Sequence, residues 1–223
     1  MTLSVRLTQL VKEGRRLNDV SSLSEKTLTS TMTEIVAHAS EILRPFGYDV
    51  LHEKTISLYE CQRFFEKVGG PRPNPENKKV YMKPDGGILY AISDTKKIPI
   101  LIVEDKVQGT NDILFEQNKK RQATGNAIER GAKNIRGAEM LFASLGIFPY
   151  VMFASGCDFH PTETIAKRIE MMNMGFPNHY SLDEPFSIKK VCGKSIASVF
   201  IKAHKWNEVA KHRIVAMTIE TRP

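Results

Sequence analysis

The stretch Ile98-Pro99-Ile100-Leu101-Ile102-Val103 is apolar at every position and shows none of the alternation expected of a strand with one wet face. A run of this length and β-branched content fits a strand covered on both sides, which belongs in the middle of a sheet with helices over each face. The preceding run, Gly87-Ile88-Leu89-Tyr90-Ala91-Ile92, has the same texture and is split from it by the polar Ser93 to Lys97. Two such runs around a short polar break predict an antiparallel hairpin at the centre of a mixed α/β fold.

The flanking sequence supplies the covering helices. Residues 25–43 place Leu28, Met32, Ile35, Val36, Ala39, Ile42 and Leu43 at steps of three and four, one apolar stripe that Arg44-Pro45 and Gly47 bring to an end. Residues 55–70 mix aromatic and charged side chains without a clean period, and 71–78, with three prolines, reads as a loop. This organisation predicts one domain, with a helical N-terminal part (1–78) and a sheet-containing core (79–223). Beyond Gly125, helical spacing returns in Ile128, Ala132, Ile135, Ala138, Leu141 or Phe142 and Leu145, ended by Gly146; 148–155 is then a second buried strand. Strand, helix and strand make a βαβ unit with its two strands parallel. Residues 163–174 read as a helix and 195–203 and 213–219 as later strands. The expected whole is a central mixed five-stranded sheet flanked by helices.

With 41% hydrophobic and 26% charged residues in 223, the chain has the balance of a globular protein, which excludes disordered and low-complexity classes. No apolar run reaches the roughly 18 residues that span a bilayer, and residues 1–20 lack the apolar core of a secretory signal, so a cytoplasmic location without membrane contact is expected. Cys61, Cys157 and Cys192 have no CxxC spacing and read as buried small hydrophobes; the six histidines have no paired spacing for a metal site or a triad. Met171, Met172 and Met174 fit helix-core packing, and Trp206 a core position.

The formal net charge is +7, and the excess is concentrated. Lys119, Lys120, Arg121, Arg130, Lys133 and Arg136 face only Glu129 between residues 118 and 136. Such a segment suits a polyanion, although a solvated basic helix face would carry the same charges.

Asp85, in Lys83-Pro84-Asp85-Gly86-Gly87, opens the first hairpin strand, and Glu104-Asp105-Lys106 closes the second. Folding the hairpin about residues 94 and 95 brings Asp85 opposite Glu104, and the two-residue period points Glu104 and Lys106 to one face with Asp105 turned away. Two carboxylates and an ammonium then share one end of the sheet. Carboxylates hold Mg²⁺, which keeps waters, binds a phosphate oxygen and acidifies a bound water; the lysine orients that water or offsets charge developing on phosphorus. Gly86 and Gly87 read as positions of close backbone approach for a DNA strand. A surface salt bridge beside a hairpin would display the same short PD…ExK pattern.

Longer strings narrow the choice. Lys83-Pro84-Asp85-Gly86-Gly87-Ile88, Val103-Glu104-Asp105-Lys106 with Gln108-Gly109, Gly125-Asn126-Ala127-Ile128-Glu129-Arg130 with Lys133-Asn134-Ile135, and Phe148-Pro149-Tyr150-Val151 together resemble, in the same order, the EcoRI-like type II restriction endonucleases of the PD-(D/E)xK superfamily. The likeness runs from about residue 80 onward and rests most on the rare Gly125 to Arg130 string. It implies a restriction-endonuclease-like fold and a homodimer that hydrolyses both strands of a short palindromic duplex with Mg²⁺, leaving 5′-phosphates. A companion methyltransferase acting on the same site is implied as well.

By matching position, Asp85 and Glu104 would be metal ligands, joined by the backbone carbonyl of Asp105, with Lys106 placing the water. Gln122, Ala123, Thr124, Gly125, Asn126 and Ala127 would form an extended major-groove segment. Asn126 and Arg130 would bond adenines and Ala127 would touch pyrimidines, with Arg168, Lys119 and Lys133 as further DNA contacts. Independent chemistry agrees for Asn126, whose amide matches the adenine N6 and N7 edge, although a helix N-cap would also use an asparagine there. These matches imply an AATT core, with GAATTC as the first guess. Asp105 stands where the family has a small residue, Thr124 where it has alanine, and Ile165 where it has a basic residue, so the outer base pair is the weakest part of that guess. A repair or junction-resolving nuclease, or an inert sequence-specific DNA-binding protein, would carry the same short motif.

Overall fold

The computed structural model describes residues 17–107, 114, 117–119, 134–135, 137–143, 149–155, 162–172, 180–182, 190–191, 194–195, 198–202, 209, 211–213 and 215–216. Helix α1 (Leu17–Leu43) leads through a 3-10 turn (Arg44–Phe46) to strand β1 (Asp49–Glu53). Gly47 at φ +79° closes that turn, a left-handed conformation glycine adopts without a Cβ penalty. Strand β2 (Ile56–Ser57) runs into α2 (Leu58–Glu66), and a second 3-10 turn (Pro75–Lys79) precedes β3 (Tyr81–Met82). The hairpin follows as β4 (Gly87–Ser93) and β5 (Lys96–Val107), then β6 (Tyr150–Ser155), α3 (Thr162–Met172), β7 (Tyr180–Leu182), β8 (Lys190–Val191), β9 (Lys194–Ser195) and β10 (Ser198–Lys202).

Among the described residues the main sheet has six strands in the order β1-β4-β5-β6-β10-β7, beside two small two-stranded sheets. The fold is mixed α/β as expected, but with six strands rather than five in that sheet. One of the six comes from the part expected to be helical: β1 pairs antiparallel with β4, Asp49 opposite Ile92 and Glu53 opposite Ile88. β5 and β6 are parallel, as are β6 and β10, so the apolar run of β5 lies centrally.

Alternate residues of the central strands build two cores. Ile88 and Tyr90 of β4, Ile102 of β5, and Tyr150, Met152 and Ala154 of β6 share one face with the helical residues Ile135, Ala138, Leu141 and Phe142. Leu89, Ala91, Leu101, Val103, Val151 and Phe153 pack on the other against Leu28, Met32, Ile35 and Ala39 of α1. Each fully buried side chain of this size contributes roughly 1.5–3 kcal/mol, so both layers stabilise the sheet substantially.

Two local readings change. Residues 213–219, expected to be a strand, are helical at 213, 215 and 216, and Val215 and Ala216 join the second core. A short apolar run does not itself distinguish a strand from one buried helical face. Met171, expected in a core, is 65% exposed on α3. Cys61 is buried as expected, while Cys157, Cys192, Met174 and Trp206 lie outside the described residues.

Candidate active site

The hairpin carries a correction to its own register. From Ser93 opposite Lys96 to Tyr90 opposite Pro99 the pairing follows a fold about residues 94 and 95; from Leu89 opposite Leu101 onward it is displaced by one. Ile100 is the extra residue of a bulge, next to Pro99, which has no N–H to give to a ladder. Gly87 therefore faces Val103, and Gly86 donates its N–H to the Val103 carbonyl at 2.9 Å. Past the bulge the residue opposite Glu104 is Gly86, and Asp85 stands on the turn just beyond the ladder.

The displacement does not separate the three groups. Lys106 Nζ lies 2.8 Å from Asp85 Oδ2 and 2.5 Å from Glu104 Oε1, so one ammonium bridges both acids. Asp85 and Lys106 keep about a third of their side-chain surface open, at 31% and 29%, whereas Glu104 keeps 3%. The cluster is thus buried on one side and open on the other. It stands at the carboxyl end of β5, where open α/β sheets bind their ligands.

Burial alone would lower the Lys106 pKa. The charge of Glu104 and the hydrogen bonds to Asp85 and Glu104 outweigh it and hold the ammonium above its usual range. In this arrangement Lys106 is therefore a positive charge at neutral pH.

Among the described residues Glu104 has two further partners. Asn134 Nδ2 donates to Oε1 at 2.8 Å, and the Tyr150 hydroxyl donates to Oε2 at 3.1 Å. Neither was singled out from sequence for this role. Tyr150 was in principle legible, because it begins β6 and its alternation places it on the face of Ile102 and Glu104.

Asp105 points to the opposite face, as the two-residue period requires. There Lys211 Nζ meets its Oδ2 at 2.5 Å, with Asp105 8% and Lys211 1% exposed, and the same Nζ lies 5.6 Å from the centre of the Phe153 ring. The C-terminal helical residues are thus fastened to the back of the strand that carries Glu104 and Lys106. No short sequence pattern links positions 105 and 211.

Gly86 and Gly87 need a different explanation from a close DNA strand. Both are buried, and a Cβ on Gly86 would stand 2.7 Å from Val103 Cβ. A Cβ on Gly87, whose φ is +79°, would stand 2.5 Å from His52 Nε2. The close approach is made by the protein itself. His52 Nε2 is hydrogen-bonded to the Gly86 carbonyl at 2.8 Å, which ties the Asp85 turn to β1. Burial lowers the His52 pKa, and the bond to Gly86 opposes that only in part.

Of the residues expected to meet DNA, Lys119 is exposed, its N–H donating to the Leu114 carbonyl, and Arg168 is half-buried on α3. Gln122, Ala123, Thr124, Gly125, Asn126, Ala127, Arg130 and Lys133 lie outside the described residues. So the structure brings Asp85, Glu104 and Lys106 together, and does not bear on the base-reading set.

The two acids suit a hard divalent cation. Mg²⁺ takes oxygen ligands and is commonly bound by one or two carboxylates with the rest of its shell water. Asp85 and Glu104 converge on one positive group already, and among the described residues no third acid, histidine or cysteine joins them.

Comparison with known proteins meets this site directly. The family described as Restriction endonuclease EcoRI matches residues 76–174, a span holding Asp85, Glu104, Lys106, Asn134 and Tyr150. Over that span the chain is similar to that family. The Type II restriction enzyme EcoRI of Escherichia coli is 33% identical over 87 residues, 35% of this chain and 31% of that enzyme. The chain thus spans about a third of the length of the curated relative it matches. The likeness covers the hairpin, the connecting segment and β6, which carry Asp85, Glu104, Lys106, Asn134 and Tyr150.

Proposed function

We propose that this chain is a type II restriction endonuclease that hydrolyses phosphodiesters of double-stranded DNA at a short palindrome, using Mg²⁺ and leaving 5′-phosphates. The observation that carries the reading is the convergence of Asp85 and Glu104 on Lys106, at an open strand end inside the EcoRI-like stretch. Asp85 and Glu104 are the proposed ligands, with the Asp105 carbonyl as a third. A bound Mg²⁺ supplies Lewis-acid polarisation of a phosphate oxygen and a more acidic water.

The chain's own groups supply the rest. The Lys106 ammonium, held charged by the two acids, donates a hydrogen bond to the attacking water or to the phosphate oxygen on which charge develops. Glu104 sits in a pocket too dry to leave its charge unpaired, so its orientation is fixed before substrate arrives. Asp85, more exposed, faces the side from which a duplex can enter.

Asn126, Ala127 and Arg130 are proposed to read bases within Gln122 to Ala127, with Lys119, Lys133 and Arg168 as further contacts and AATT as the core of the site. A palindromic target implies a homodimer, since two-fold protein symmetry mirrors that of the site, and a methyltransferase protecting the host sequence. Among the described residues no helix is long and apolar enough to cross a membrane, and we place the protein in the cytoplasm with the DNA it would cut.

The test is Asp85→Ala in the full chain. Cleavage of site-containing DNA is expected to fall below detection while binding of the same duplex persists in Ca²⁺. Unchanged cleavage would remove Asp85 from the chemistry. Binding by wild-type protein with no cleavage in Mg²⁺ would mark an inert DNA-binding protein, and cleavage directed by DNA shape alone a repair-type nuclease.

A further inference from the structure

Among the described residues three donors meet the Glu104 carboxylate. Lys106 and Asn134 both reach Oε1, and Tyr150 reaches Oε2. An ionised carboxylate has about four lone-pair directions, so these contacts occupy both on one oxygen and one on the other. The three donors differ in kind. Lys106 brings a positive charge and so competes with any cation for Glu104. An amide and a phenol hold the carboxylate without neutralising it, and they do so from different elements: Asn134 from the helical residues over the sheet, Tyr150 from β6. Two neutral donors on two oxygens stop the group rotating about its last side-chain bond.

We propose that Asn134 and Tyr150 are positioning residues that fix the plane of the Glu104 carboxylate and leave the remaining direction on Oε2 for a divalent cation. The proposal rests on the reading of Glu104 as a metal ligand. Burial supports it: a carboxylate on a side chain 3% exposed needs these partners for stability, yet a single lysine would satisfy its charge. Partners that orient a ligating group typically alter metal affinity by 10- to 100-fold when removed.

The experiment titrates the full chain with Mn²⁺ in the absence of DNA, measuring free Mn²⁺ by electron paramagnetic resonance, for wild type, Asn134→Ala, Tyr150→Phe, Glu104→Gln and Asp85→Ala. Asn134→Ala and Tyr150→Phe are expected to bind Mn²⁺ about 10- to 100-fold more weakly. The Mg²⁺ concentration for half-maximal DNA cleavage should rise by the same factor, with KM for DNA unchanged. Mn²⁺ affinity within twofold of wild type in folded Tyr150→Phe, alongside abolished binding in Glu104→Gln, would overturn the positioning role and leave the metal site standing. Wild-type affinity in both Glu104→Gln and Asp85→Ala would overturn the metal site itself. Tyr150→Phe removes a single hydroxyl, so it decides the matter even where Asn134→Ala does not fold.

Discussion

Lys106 is the residue on which the site balances, because one ammonium satisfies two acids that would otherwise repel. Lys106→Met should slow single-turnover cleavage at saturating Mg²⁺ by about 100- to 1000-fold, the loss usual for one well-placed donor to developing charge. A rate within threefold of wild type would contradict its role. Cys61 gives a prediction independent of DNA. Burial, then the charge of Glu60, pushes its thiol from 9.0 up to about 12. The folded state holds this proton more tightly than the unfolded state, so stability is complete below pH 9.0 and declines as pH rises towards 12. Iodoacetamide at pH 8 should therefore label Cys61 only as fast as the protein unfolds, measured by peptide mass spectrometry. The side chains that build the site were legible because alternation along β5 separates Glu104 and Lys106 from Asp105. Asn134, His52 and Lys211 were not, since each acts through a contact that no local spacing encodes.

The elements show where propensity decides and where packing does. The apolar stripe of α1 and the two-strand texture of the hairpin were legible because their periods continue over many residues. Helix α2 was not, although Ser57 and Glu60 form a capping box in which each satisfies the other's backbone, a signal that Ser-x-x-Glu carries in the sequence. The bulge at Ile100 escaped a reading that counts residues symmetrically about a turn, yet Pro99 marked the place where the ladder had to yield. Gly87 holds the turn before β4 at positive φ with His52 against it. Gly87→Ala should destabilise by about 1–3 kcal/mol in urea unfolding; a loss under 0.3 kcal/mol would mean that the turn relaxes freely. Behind the site, Lys211→Met removes an ion pair from the buried Asp105 and should cost about 3–5 kcal/mol, much of it recovered in the double variant with Asp105→Ala. Simple additivity of the two changes in the same urea experiment would show that the buried pair is not coupled.

At the scale of the molecule, the central β5 was placed by composition alone, whereas the sheet's extent was not. β1 and the three-residue β7 lie at the margins, where strands are short and patterning is weak. The parallel pairing of β5 with β6 sets Tyr150 within reach of the Glu104 side chain, and helical residues pack on both faces of the sheet. The basic stretch 118–136 enters the same unit in sequence between those strands. The proposed metal-binding edge, with a cationic segment between its two strands in sequence, suits a duplex whose phosphates must be held still while one bond is broken. The most direct measurement is digestion of a sequenced plasmid by the purified chain in Mg²⁺, with sequencing of every fragment end. Discrete fragments sharing one palindrome and bearing 5′-phosphates, absent with Asp85→Ala, are the expected result; intact plasmid, or ends scattered without a common sequence, would contradict it.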